Sequence, residues 1–303
     1  MTTASTAALV AGGQSAFAQD GFLPEGYTLN VQGGYGITDN ALRDKVEADS
    51  SGGPVPSEVS DKIGDEDSFR QISGSVSLTR QLSPSLDVAF AAGGVVSTDD
   101  DVESSFDSGS GGTTTLATGN DLSFGTLDVE AGYALPTDAA DIRAFGGLRV
   151  LSSRSEIDKV GEFSSGGSPS EEQSVGIVSR FTGIGPRIGI GFATKPMPVG
   201  TAGNFSLSAE VAGSYLFGDR EDEVESGGSV FGEADGDVEV TTLEAQLGVS
   251  YHISPKAKVT VGYELQQLWN VDLFSDDSDD RGYGEDADPR LAHGVFVGFT
   301  TSF

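Results

Sequence analysis

Charged side chains alternate with apolar ones in several segments, and they are the residues that could do chemistry. In residues 127–130, Leu-Asp-Val-Glu, two carboxylates share one face of an extended strand and two apolar side chains share the other. Opposite charges on one such face either pair and brace the fold or, where water reaches them, sort solutes by charge. We call the following set the charged belt: Asp128, Glu130, Arg143, Arg149, Arg180, Arg187, Glu210, Glu244 and Glu264.

The elements that must position this belt are strands with one apolar face. Apolar side chains occupy alternate positions from Phe205 to Phe217 and again from Val295 to Phe299. Comparable segments recur along the chain and predict about ten strands. Short turns, such as the one containing Pro84, alternate with long polar stretches that we interpret as loops. These loops cover residues 40–67, 98–120, 152–173, 219–237 and 272–289.

Strict alternation of short turns and long loops is typical of outer-membrane β-barrels, whose turns are periplasmic and whose loops are extracellular. We therefore predict an all-β fold, a single transmembrane antiparallel β-barrel of about ten strands over residues 19–303, with the charged belt in its lumen. A soluble sandwich would not sort its loops by length in this way. The apolar positions change parity between Phe181 and Ile188, which predicts a bulge or kink near Gly183–Pro186.

Residues 1–18 have the composition of a secretory signal peptide. An apolar run over residues 7–11 precedes Ala16-Phe17-Ala18, an A-x-A-like cleavage site. No Lys or Arg precedes Arg43, so either translation begins further upstream or the segment is a flexible Ala-rich leader. We predict cleavage after Ala18 and location of the remaining chain in the outer membrane of a Gram-negative cell.

The expected partners follow from that location. The last strand ends on the aromatic Phe303, and we expect the barrel-assembly machinery to recognise this strand. Outer-membrane lipid and lipopolysaccharide would surround the apolar outer face, and small solutes or ions are candidates for the lumen.

Composition excludes several classes of function. The chain has 47 acidic and 17 basic residues, a formal net charge of −30, whereas nucleic-acid binding needs a basic surface. Without cysteine, disulfides, thiolate metal sites and cysteine nucleophiles are excluded. The acidity alone would also suit disorder or a saline habitat, but most of the acids lie in the predicted loops.

Enzyme and metal-site interpretations have little support. The acidic stretch 276–286 lacks the spacing of an EF-hand, so loose divalent-cation binding remains an alternative to a solvated loop. His293, close in sequence to Asp286 and Asp288, is the one candidate for a hydrolase at the barrel rim. Neither G-x-S-x-G nor H-E-x-x-H occurs. We predict no enzymatic activity, no cofactor and no metal site.

Residues 179–187, Ser-Arg-Phe-Thr-Gly-Ile-Gly-Pro-Arg, resemble the motif of the Legionella major-outer-membrane-protein-like pore family. The resemblance implies a β-barrel pore of the bacterial outer membrane. Acids outnumber bases in the charged belt, so a water-filled lumen would favour cations. We predict a porin-like barrel that forms a small or weakly conducting, cation-preferring pore. The alternative is a structural or adhesive surface barrel that acts through its acidic loops.

Overall fold

The computed structural model describes residues 24–39, 68–97, 102–108, 112–164, 171–199, 203–226, 229–271 and 289–303. The predicted signal peptide, residues 1–18, and the acidic stretch 276–286 lie outside these ranges. In the described part of the chain, no helix is long and apolar enough to cross a lipid bilayer.

The regular elements of the described ranges are twelve β-strands. In chain order they are β1 (Tyr27–Asp39), β2 (Ser68–Gln81), β3 (Leu86–Ser97), β4 (Val102–Ser108), β5 (Gly112–Pro136), β6 (Ala140–Ser164), β7 (Glu171–Thr194), β8 (Met197–Pro198), β9 (Asn204–Ser226), β10 (Ser229–Ser254), β11 (Ala257–Trp269) and β12 (Arg290–Ser302).

Ten of these strands form a closed antiparallel barrel. Each pairs with its neighbour along the chain, while β4 pairs only with β5 and the two-residue β8 only with β9. β1 pairs with β12 from Thr28↔Ser302 to Thr38↔Ala292, and this pairing closes the sheet. The predicted ten-stranded barrel is therefore confirmed.

The barrel has a turn side, where short connections such as residues 82–85 and 137–139 lie, and a loop side at the other end. Between them the outer face of the barrel carries a band of exposed apolar side chains. Exposure of this band to water would be unfavourable, whereas lipid tails solvate it. Aromatic pairs lie at both edges of the band. Phe205 packs on Tyr251 near the turn side, and Tyr215 packs on Phe217 near the loop side.

Five barrel strands extend further than the sequence predicted. β5, β6, β7, β9 and β10 have 23 to 26 residues each, whereas the other five have 12 to 14. Parts of the predicted loops, including residues 152–164 and 219–226, are paired strands that continue the sheet beyond the apolar band. Outside lipid neither face of a strand needs to be apolar, so the alternating signal disappears although the backbone ladder continues.

The bulge predicted near Gly183–Pro186 is wrong. The register between β6 and β7 is unbroken from Ser153↔Phe181 to Gly146↔Ile188. The apolar residues change face instead: Phe181 is 1% exposed and points into the barrel, whereas Ile188 is 70% exposed and points outward. The parity change therefore arises because the interior of the barrel is apolar at the level of Phe181. It does not arise from an extra residue in the strand.

Candidate functional site

Eight of the nine residues of the charged belt line one space inside the barrel. Strict alternation positions them. On β5, Asp128 and Glu130 point inward between the exposed Leu127 and Val129. The other six come from β6, β7, β9, β10 and β11, so side chains from several walls converge in the lumen.

Arg149 lies at the centre of this group and is 3% exposed. It faces Asp128 in the β5–β6 register, and its Nε and Nη2 donate to the two Asp128 carboxylate oxygens at 2.7 Å each. The same guanidinium donates through Nη1 and Nη2 to both oxygens of Glu244, which comes from β10. Bidentate contacts on two sides fix the guanidinium plane and link two separate parts of the wall.

Arg187 makes the second link. Its Nε donates to Glu130 Oε1 at 2.9 Å, and its Nη1 donates to Glu244 Oε2 at 2.6 Å. Glu244 therefore accepts hydrogen bonds from two arginines, and Gln266 Nε2 adds a third donor at 3.2 Å. One carboxylate thus couples β6, β7, β10 and β11.

Arg143 extends the network toward the turn side. It binds Asp87 through Nε and Nη2, at 3.0 and 2.7 Å, and reaches Glu130 Oε2 at 3.4 Å. The guanidinium also lies 4.8 Å from the centre of the Phe145 ring. Four carboxylates and three guanidiniums therefore form one continuous ion-pair network.

Glu210 and Glu264 lie at the edge of this network. Within the described residues neither forms an ion pair. Glu264 instead accepts hydrogen bonds from Gln32 Nε2 at 2.7 Å and from Ser73 Oγ at 2.5 Å. These two acids raise the negative excess of the lumen from one charge to three.

Arg180, the ninth predicted belt residue, does not belong to the group. Its side chain is 37% exposed, lies on the outer face with Ile184, and pairs with Glu223 at 3.1 Å. The prediction that Arg180 faces the lumen is wrong, because it requires Phe181 to face lipid, whereas Phe181 points into the barrel. With an unbroken register, Arg180 and Arg187 point to opposite faces of β7.

A cavity of about 440 Å³ lies beside the network. Small inward residues of β2 and β3, such as Ser75, Ala91 and Gly93, leave this space open opposite the long charged side chains. Six carboxylates and three guanidiniums line it, so its formal charge is −3: Asp87, Asp128, Glu130, Glu210, Glu244 and Glu264 against Arg143, Arg149 and Arg187.

Sequence reasoning missed an apolar group in the lumen, because apolar side chains on a barrel strand were assigned to lipid. Nine residues on the loop side of the charged belt contact one another and are 7% exposed or less. The parity change at Phe181 was the one sequence signal of their presence. We call this group the apolar layer: Val95, Leu122, Phe124, Leu151, Phe181, Leu216, Val240, Leu268 and Val271.

The structure places the hydrolase candidate, His293, away from the lumen. On the outer face its Nδ1 is hydrogen-bonded to the hydroxyl of Tyr263, while Asp286 and Asp288 lie outside the described residues. Among the residues that are described, no group of three or more His, Asp or Glu side chains is arranged to hold a metal ion.

Solved structures that are similar to this chain include several outer-membrane proteins. The outer membrane protease OmpT from Escherichia coli is 15% identical, with 91% of this chain and 97% of that one covered and a TM-score of 0.48. A major outer membrane protein from Thermus thermophilus is 14% identical, with 91% and 99% covered and a TM-score of 0.33. Neisserial surface protein A is 10% identical, with 92% and 97% covered and a TM-score of 0.34. No curated protein matches the chain.

A family match decides the affiliation. The sequence model of the family described as the Legionella pneumophila major outer membrane protein precursor matches residues 95–300, which include the stretch 179–187. This match confirms the resemblance and covers more than half of the 303 residues. The chain therefore belongs to the Legionella major outer membrane protein family and is a β-barrel of the outer membrane.

Proposed function

We propose that this protein is a small, weakly conducting and cation-preferring pore. The observation that carries the proposal is the cavity beside the ion-pair network, with its formal charge of −3. A cavity lined by one excess sign of charge and surrounded by a protein wall raises the local concentration of the opposite ion. Rings of carboxylates act in this way in cation channels.

The ion-pair network also explains why conduction would be weak. Long side chains from β5, β6, β7 and β10 meet across the lumen and narrow it. The described cavity lies beside these side chains and is lined on β2 and β3 by small residues. A solute would therefore pass between this wall and the carboxylates, and its size would be limited.

Glu264 is the residue through which the proposal can be tested. It faces the cavity and is bound by neutral donors, so Glu264→Gln removes a charge without breaking an ion pair between described residues. Glu239→Gln is the matched control, because Glu239 lies on the outer face and is hydrogen-bonded to Tyr215. Reversal potentials of the refolded barrel in a salt gradient across a planar bilayer measure selectivity.

We expect the unmodified protein to prefer cations, Glu264→Gln to reduce that preference and Glu239→Gln to leave it unchanged. Anion preference in the unmodified barrel would contradict the proposal.

The second candidate is a structural or adhesive barrel without enzymatic activity. It is favoured by the length of five strands, which continue beyond the apolar band in segments rich in polar residues. In that case the ion-pair network would only brace the barrel. Two results would favour this candidate: absence of conductance, and binding to a surface partner that is lost when the loop-side hairpins are shortened.

A further inference from the structure

We propose that the apolar layer, and not the charged belt, is the gate of this barrel: it closes the lumen to water and ions at the loop-side edge of the membrane. The inference rests on the proposed pore function and names the part of the lumen that controls it. It assigns the belt to selectivity and the apolar layer to opening.

The apolar layer reaches across the lumen. Eight of its members come from β3, β5, β6, β7, β9, β10 and β11, which are seven of the ten barrel strands, and Val271 follows β11. Val95 of β3 and Leu268 of β11 belong to one contact group although β12, β1 and β2 separate their strands in the wall. Leu151, Leu216 and Val240 are fully buried. The mutual contacts of these side chains from several walls leave the lumen packed at this level.

The apolar layer caps the charged cavity. Val95 and Phe124 belong to the layer and also line the cavity, so the two are in direct contact. On β6, Leu151 is two positions beyond Arg149 on the same face, which places the apolar layer immediately on the loop side of the ion pairs. On β9, Leu216 lies between the outward Tyr215 and Phe217, at the edge of the apolar band.

The two levels present different barriers to an ion. At the charged belt an ion meets carboxylates and hydrogen-bond donors that can replace part of its hydration shell. At the apolar layer it meets mainly hydrocarbon, where an unpaired charge is strongly unfavourable. Apolar constrictions of this kind control conduction by excluding water. Opening therefore requires the apolar side chains to separate or to become wettable.

Leu151→Ser tests the gate, because it shortens a fully buried side chain of the apolar layer and adds a hydroxyl group. Leu148→Ser is the matched control: it makes the same chemical change on the same strand, at a lipid-facing side chain that is 55% exposed. We expect Leu151→Ser to raise single-channel conductance or open probability about tenfold, which corresponds to a barrier lower by about 1.4 kcal/mol. Leu148→Ser should match the unmodified protein.

Leu216→Ser is the second variant, for the case in which Leu151→Ser does not fold. Resistance of the folded barrel to unfolding on denaturing gels before heating identifies the samples to record. Equal conductance of the unmodified protein and both apolar-layer variants would overturn the gate and leave the pore function standing. Absence of conductance from all the folded samples would overturn the gate and the proposed pore function together.

Discussion

Replacement of Arg149 by alanine is the most informative perturbation of the charged belt. The arginine is almost fully buried and is bonded to both oxygens of Asp128 and to both oxygens of Glu244. After Arg149→Ala, Glu244 would keep its 2.6 Å contact with Arg187. Asp128 would keep only a distant cation, since the Nε of Arg187 is 3.9 Å away. The variant therefore isolates one buried carboxylate.

Removal of one partner of a buried ion pair typically costs about 3–5 kcal/mol, mostly because the remaining charge is left unpaired. Since Glu244 retains a partner, we expect a loss of about 3 kcal/mol in the free energy of unfolding, at the lower end of that range. Arg154→Ala is the matched control, because Arg154 is 50% exposed and pairs with Glu156. An exposed pair contributes about 0–1 kcal/mol.

Urea titration of the barrel in lipid vesicles measures both losses. The single tryptophan, Trp269 at the loop-side end of β11, reports unfolding by its fluorescence. A loss for Arg149→Ala equal to that for Arg154→Ala would mean that water screens the belt, and the interpretation of Arg149 as part of a buried ion-pair network would be refuted. A changed reversal potential at unchanged stability would instead indicate a water-filled pore at this level.

Three further predictions concern the apolar layer, the charge of the lumen and the leader. Phe181→Ala should lower the free energy of unfolding by about 3–5 kcal/mol. Phe90→Ala on the lipid face should lower it less, because lipid tails fill the space. Equal losses in urea titration would contradict a packed lumen. Cation preference should decline from 0.1 M to 1 M salt, because the screening length falls from about 10 Å to about 3 Å. Reversal potentials measured in salt gradients of fixed concentration ratio would show the decline. A constant preference would contradict electrostatic selection. Mass spectrometry of the mature protein should show a chain that begins at Gln19; an intact Ala18–Gln19 bond in the membrane-inserted protein would contradict the predicted cleavage.

The sequence was informative wherever one strand face meets lipid. Segments such as Phe205 to Phe217 alternate because lipid demands apolar side chains at every second position, so the fold, the strand number and the inward direction of Glu210 could be derived. The ends of the long strands could not be derived, because outside the membrane no rule of alternation applies to polar residues.

Pairing inside the lumen was also beyond sequence reasoning. That Asp128 faces Arg149 depends on the register between β5 and β6, which alternation alone does not specify. The contacts with Glu244 depend on how the barrel curves across three more strands. Phe181 shows the remaining difficulty: an apolar residue can face either lipid or a dry lumen, and composition does not distinguish the two environments.

The seam between β1 and β12 has a kinetic consequence. Apart from β1 and β12, barrel strands that pair with each other are also consecutive along the chain. Their pairing can therefore begin at a local hairpin and extend from there. The seam joins residues as far apart as Thr28 and Ser302, whose hydroxyl groups are 3.1 Å apart and whose sequence separation is 274. Contacts this distant along the chain form slowly, because the entropy of closing the intervening segment is lost before any contact is gained. Closure at the seam is therefore expected to be the last and slowest step of folding, after the hairpins have formed in the membrane.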